Sequence, residues 1–124
     1  MILHRLFVAV LAMTVLAGGP ATAANVTGQQ LLSLCTANMG GGGKPLEAAE
    51  CMGYVVGVAD TFDCVEDEHG YRWNSKAEVT QPKLTLLVIQ YIASHPEALA
   101  GTGHISVAQA LANAFPCPAK AASN

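Results

Sequence analysis

The stretch LEAAECMGYVVGVADTF, residues 46–62, predicts a helix whose apolar face organises the rest of the chain. Cys51, Val55, Val58 and Phe62 recur three or four positions apart, the spacing that brings side chains onto one face of an α-helix. Such a face becomes stable when other apolar surface packs against it. The stretch therefore predicts a helical domain with companion helices on either side.

Two glycines, Gly53 and Gly57, lie one turn apart on a neighbouring face of this helix. A glycine inside a helix costs about 1 kcal/mol relative to alanine. We therefore expect a packing reason for the pair, namely that the missing side chains let another helix come close.

The companion helices begin at recognisable caps. Upstream, Thr27 caps a short helix that runs toward Cys35 and that the glycine run at residues 40–43 ends. Downstream, Thr80 precedes a helix that reaches about Ser94. This downstream helix is apolar nearly all round, which places it either at the centre of the bundle or partly beneath a second subunit.

A break at Pro96 separates this helix from a short turn through Leu99. A last helix begins at either Thr102 or Ser106, and two prolines end it around Cys117. No alternating strand pattern is visible. The fold class is accordingly all-α, a small bundle of four to five short helices.

The first residues have the layout of a secretory signal. A basic start ending at Arg5 precedes an apolar run, residues 6–17, that is too short to span a bilayer comfortably. Gly-Gly-Pro then breaks the run, and Ala-Thr-Ala offers the small residues of a cleavage site. We predict a signal peptide at residues 1–23 and a single helical domain at residues 24–124, periplasmic or secreted; the alternative is a retained helix.

Composition excludes several partner classes. Six basic residues, one of them in the signal, stand against nine acidic ones in a chain that is 52% hydrophobic. An acidic balance argues against nucleic acid, and against anionic membranes once the signal is removed.

Four cysteines follow the predicted cleavage site, and an exported chain lets disulfides form and persist. Three pairings are open. We favour Cys35–Cys51, which brackets the glycine run, and Cys64–Cys117, which ties the tail to the middle of the chain. Loops of these sizes predict contributions of about 3 and 4 kcal/mol through the unfolded state. The bundle is thus expected to be cross-linked by two disulfides.

The polar loop, residues 65–79, contains the only tryptophan of the chain. Tyr71, Arg72 and Trp73 belong to residue types enriched at interaction hot spots, so this loop is a candidate partner surface. The alternative is a lid that packs on the core.

Catalytic and metal chemistry find little support. The acidic run that includes Asp60, Asp63, Glu66, Asp67, Glu68 and His69 does not match the ligand spacing of a calcium loop. A solvated acidic loop without a metal is the favoured interpretation. Structural pairing of the cysteines is favoured over a cysteine nucleophile, and no hydrolase, haem or phosphate-loop motif is present. We predict a protein that is not an enzyme and carries no cofactor.

Four segments occur in an order and at separations that match one family: LLSLC (31–35), CMGYVVGVAD (51–60), YIASHPE (91–97) and AFPC (114–117). Together they resemble the Rap/Tai family of immunity proteins over nearly the whole domain. The resemblance implies a helical, disulfide-linked periplasmic protein, often a homodimer, that inhibits a type VI secreted peptidoglycan amidase by capping its active site. Cys64 departs from the family, in which the third cysteine usually comes shortly before the third long helix.

The resemblance and the polar loop together give a candidate binding site. Tyr71, Arg72 and Trp73 are the predicted anchors, and the acidic residues Glu66, Asp67 and Glu68 are expected to complement a basic cleft of the amidase. The alternative functions are a periplasmic acid-stress chaperone, which would expose apolar surface on acidification, and another helical binding module without a toxin partner.

Overall fold

Five helices follow one another in the part of the chain that the computed structural model describes, residues 25–37, 39 and 44–119. They are α1 (Gly28–Thr36), α2 (Pro45–Ala59), α3 (Gln81–Ser94), α4 (Pro96–Ala100) and α5 (Gly103–Ala114). These residues contain no strand, so the predicted all-α bundle is confirmed. The predicted signal peptide and the glycine run at residues 40–43 lie outside the described residues.

Two helix starts illustrate how local sequence sets the bounds. The Thr27 hydroxyl accepts a hydrogen bond from the Gln30 amide at 3.2 Å, and the Gln30 side chain accepts one from the Thr27 amide at 2.9 Å. This reciprocal capping box fixes the start of α1. Of the two predicted starts for α5, the first is correct, because Thr102 is the cap and Ser106 is buried inside the helix.

The core lies between α1, α2, α3 and α5. Each contributes fully buried aliphatic side chains, and these are Leu31, Val55, Val88, Ile92, Val107 and Leu111. The α3 helix contacts the other four helices, as the first of its two predicted placements expects, and α1 does so as well. Within the described residues, no helix combines the length and apolar character needed to cross a membrane.

Two glycines that the sequence did not single out, Gly28 and Gly103, lie in tightly packed surroundings. A Cβ atom on Gly28 would overlap the carbonyl oxygen of Ala98 in α4. A Cβ atom on Gly103 would lie 3.0 Å from the Tyr54 hydroxyl and 3.1 Å from the Val26 carbonyl oxygen. Glycine is required at position 28 because a backbone carbonyl group occupies the space of a side chain, whereas a Cβ atom at position 103 would push its neighbours by a few tenths of an ångström.

Gly53 and Gly57 do not have the packing role that we predicted. A Cβ atom at either position would have no described neighbour within 4 Å, and both residues are exposed. The pair lies on one face of α2, as its spacing predicts, but that face lines a shallow groove instead of a helix contact.

The favoured disulfide pairing is confirmed. Cys35–Cys51 joins α1 to α2, and Cys64–Cys117 joins the residue before the polar loop to the tail after α5. The second cross-link spans 53 residues of sequence. It therefore links the two ends of the segment that contains α3, α4 and α5.

Candidate partner-binding loop

Trp73 fixes the base of the polar loop to the core. Its indole N–H donates to the carbonyl oxygen of Ala59, the last residue of α2, at 3.2 Å and to that of Phe62, three residues further on, at 2.7 Å. The indole ring lies between Phe62 and Phe115, with ring centroids 6.2 and 6.1 Å away. Only 5% of Trp73 is exposed, as the lid interpretation expects. Any effect of this predicted anchor on binding therefore passes through the loop that it holds.

Hydrogen bonds to main-chain carbonyl oxygens hold the loop on both sides of Trp73. The Asn74 amide donates to the Phe115 carbonyl oxygen at 2.8 Å, which pairs the end of the loop with the segment after α5. The Arg72 guanidinium donates to the Cys64 carbonyl oxygen at 3.2 Å while its side chain stays exposed. With the Cys64–Cys117 bond, these contacts join the loop to the C-terminal segment.

The tip of the loop is a two-residue turn that the sequence reading missed. Glu68 and Tyr71 exchange two main-chain hydrogen bonds of 2.9 Å, and His69 and Gly70 between them have φ values of 50° and 84°. Positive φ at both central residues is the pattern of a type I′ hairpin turn. The Asp67 carboxylate accepts from the Gly70 amide at 3.1 Å. In the sequence, the only local sign of this turn is Gly70, which follows the acidic run.

Asp63 organises the first part of the loop. Its carboxylate accepts from the amides of Val65 at 2.6 Å and Glu66 at 2.9 Å. The Glu66 amide, followed by the Val65 amide, holds the pKa of Asp63 below its ordinary value of 3.8, and the Lys76 charge adds a smaller effect. Asp63 and Asp67 thus have structural roles, because their carboxylates accept from loop amides. Both Glu66 and Asp67 are exposed.

Gln109 links the loop to the helices and was also missed from the sequence. Its amide nitrogen donates to the Tyr71 hydroxyl at 2.7 Å, and its amide oxygen accepts from the Tyr91 hydroxyl at 2.8 Å. Burial raises the pKa of Tyr91, with smaller contributions from Glu97 and Tyr71. Because the three residues come from the loop, α5 and α3, no local sequence pattern connects them.

The six predicted binding residues therefore divide by exposure. Arg72, Glu66 and Asp67 are exposed, Glu68 and Tyr71 are partly buried, and Trp73 belongs to the core. Among the described residues, neither Glu66 nor Asp67 forms an ion pair. Their involvement in partner binding stays a prediction.

A shallow acidic cleft lies beside the loop. Its lining includes Asp60, Asp63 and Glu66 around Phe62 and the edge of Trp73. The three carboxylates give the cleft a negative charge, which suits a cationic side chain of a partner.

The fold and the loop define a class: a small, disulfide-linked helical domain that presents an acidic loop held on its core. The chain belongs to the Rap1a immunity protein family, whose model matches residues 27–117, from the cap of α1 to the last cysteine. Membership implies an immunity protein against a secreted effector, and together with the disulfides it indicates an extracytoplasmic protein. A comparison with curated proteins finds no match.

Proposed function

We propose that the mature chain is a periplasmic immunity protein that inhibits a type VI secreted peptidoglycan amidase by capping its active site. The polar loop provides part of the contact surface, and the protein acts as an inhibitor, with no catalysis of its own. The observation that carries the proposal is a charged loop held in one shape on a domain of an immunity family.

The way in which the loop is held favours tight binding. Trp73 fixes its base, Gln109 fixes Tyr71, and the paired bonds of Glu68 and Tyr71 close its tip. A loop that is ordered before binding loses less conformational freedom in the complex. Its exposed groups can then meet the partner without a large entropic cost.

The charge of the loop favours a basic partner surface. Glu66 and Asp67 are exposed without an ion pair among the described residues, and the neighbouring cleft adds Asp60 and Asp63. Complementary charge raises association rates and selects against partners of the same sign. A basic rim around an amidase active site fits this surface.

The experiment measures amidase inhibition by the mature chain, using the peptidoglycan hydrolases encoded near its gene as candidates. Glu66→Lys is expected to weaken inhibition by about tenfold, because the charge reversal replaces attraction by repulsion. Asp67 is left in place because its carboxylate accepts from the Gly70 amide. Glu50→Lys is the matched control, since Glu50 is exposed beside a separate groove along α1. Equal inhibition by the loop variant and the control would exclude the loop from the interface.

The acid-stress chaperone is the second candidate, and Asp63 is the observation that favours it. Protonation of Asp63 weakens the acceptor of two loop amides, so the loop is expected to loosen at low pH. A chaperone suppresses the aggregation of denatured client proteins under these conditions. Suppression at low pH together with no inhibition of any candidate amidase would favour this function over immunity.

A further inference from the structure

Three metal-ligating side chains meet where the tip of the polar loop touches α5. The Glu68 carboxylate oxygen lies 3.5 Å from the His69 Nε2 atom and 3.9 Å from the His104 Nε2 atom. One ligand atom from each residue lies within 4.8 Å of the other two. Glu68 and His69 are adjacent in the loop, whereas His104 comes from the first turn of α5.

The chemistry of this cluster matches a known class of open zinc site. Two imidazoles and one carboxylate leave a fourth position free in zinc proteins that bind water or substrate. Ligand atoms about 2.0 to 2.1 Å from a tetrahedral ion are separated by about 3.4 Å. The observed separations are slightly larger, so small rotations of the three side chains, of which His69 is exposed, close the set around an ion.

The backbone places the three ligands independently of any metal. His69 occupies a left-handed turn position with φ 50°, fixed by the paired bonds between Glu68 and Tyr71. The rings of His69 and His104 already lie 5.4 Å apart between centroids. Among the described residues, Glu68 has no lysine or arginine partner, so its charge faces only the two imidazoles.

The cluster also has an open side. Glu68 and His104 border the shallow groove along α2 that contains Gly53 and Gly57. Because neither glycine carries a side chain, a water molecule or a small ligand can reach the fourth coordination position. This access is a consequence of the exposed glycine face that has no packing role.

We propose that Glu68, His69 and His104 form a binding site for a zinc-type divalent cation, with its fourth position open to the Gly53–Gly57 groove. The ion joins the tip of the polar loop to α5. Imidazole and carboxylate ligands favour borderline cations such as Zn²⁺ over Mg²⁺, which prefers oxygen ligands. The proposal concerns the chain alone and does not depend on an amidase partner.

The test is an isothermal titration calorimetry experiment in which zinc chloride is added to the untagged, disulfide-bonded mature chain in a buffer freed of other metals. We expect one zinc ion per chain, no comparable binding of Mg²⁺, and tetrahedral absorption bands when Co²⁺ replaces zinc. His69→Ala, His104→Ala and Glu68→Gln are each expected to weaken zinc binding by at least about tenfold, since each removes a direct ligand.

His95→Gln is the matched control, because His95 stacks on Tyr91 with ring centroids 4.1 Å apart and lies outside the cluster. It should bind zinc like the wild type. Melting of each metal-free variant tests folding, and His104→Gln, closer in size to histidine, replaces His104→Ala if the alanine variant melts early. Absence of saturable zinc binding by the wild type, or unchanged binding by a folded His104 variant, would overturn the proposal.

Discussion

The junction between the start of α1 and the connection from α4 to α5 is stabilised in one way, and the polar loop is stabilised in the opposite way. At the junction, Gly28 and Gly103 let backbones meet, and their amides donate to the carbonyl oxygens of Gly101 at 2.8 Å and Val26 at 2.7 Å. The loop is held by individual side chains: the Trp73 indole donates to the Phe62 carbonyl oxygen, and Gln109 of α5 donates to the Tyr71 hydroxyl. Added volume is therefore expected to disrupt the junction, whereas removal of a side chain is expected to disrupt the loop.

The largest expected effect is the loss of the Trp73 side chain. Trp73→Ala should lower the free energy of unfolding by about 4 kcal/mol, because truncation of a buried tryptophan leaves a cavity. Trp73→Phe separates the two contributions, since it keeps a ring but removes the N–H that serves Phe62 and Ala59, and about 1 to 3 kcal/mol is expected. Urea unfolding measures both values. If Trp73→Ala were as stable as the wild type, the loop would not depend on this anchor.

Gly28→Ala tests the junction by adding one carbon atom. We expect a loss of about 3 kcal/mol in unfolding free energy, because the new Cβ overlaps the Ala98 carbonyl oxygen and the backbones must separate. Gly53→Ala is the control: it also adds a Cβ atom to a helix, but at a position where this atom has no described neighbour within 4 Å. This control should gain up to about 1 kcal/mol from helix propensity. Equal stability of the two variants would contradict the contrast between the glycine pairs.

Gln109→Ala sharpens the comparison on the loop side. The substitution removes the hydrogen bonds to Tyr71 and Tyr91, and about 1 kcal/mol per bond is expected in unfolding free energy. Amide hydrogen exchange near Tyr71 should accelerate more than exchange in α1, because the loop loses a tether while the junction is untouched. Uniform acceleration across the chain would indicate that Gln109 acts on global stability alone.

The smallest expected effect concerns the pH dependence of the loop. Because the folded-state pKa of Asp63 is lowered by the Glu66 and Val65 amides, its stabilising contribution is present above the ordinary value of 3.8. That contribution is lost as the pH falls through the lower, folded-state pKa. An NMR titration of the Val65 and Glu66 amides should give a midpoint below 3.8, and Asp63→Asn should abolish that transition. A midpoint at or above this value would exclude the capping role of Asp63.

Several features of the protein were predictable because their signals are local. The Thr27 cap, the break at Pro96 and the apolar spacing of Cys51 and Val55 each depend on residues within a few positions. The even number of cysteines in a chain with a signal-like start predicted the cross-links. Four ordered segments carried the resemblance to immunity proteins, and the family match over residues 27–117 confirms it.

The features that were missed depend on neighbours remote in sequence. Gly28 and Gly103 look ordinary until α4 and Val26 are placed beside them, whereas Gly53 and Gly57 looked important and face a groove. Trp73 in a polar loop was ambiguous until its indole was placed against the end of α2.

The sequence by itself determined the all-helical class, the cap of α1, the number of cross-links and the family, because periodicity, capping and cysteine usage are properties of short segments or of composition. Only the tertiary structure decided which glycines are required, which side chains hold the polar loop, and that His104 joins Glu68 and His69. The physical reason is that steric overlap, hydrogen bonding and metal ligation act between atoms a few ångströms apart. That proximity is created by packing helices whose contacting residues are distant along the chain.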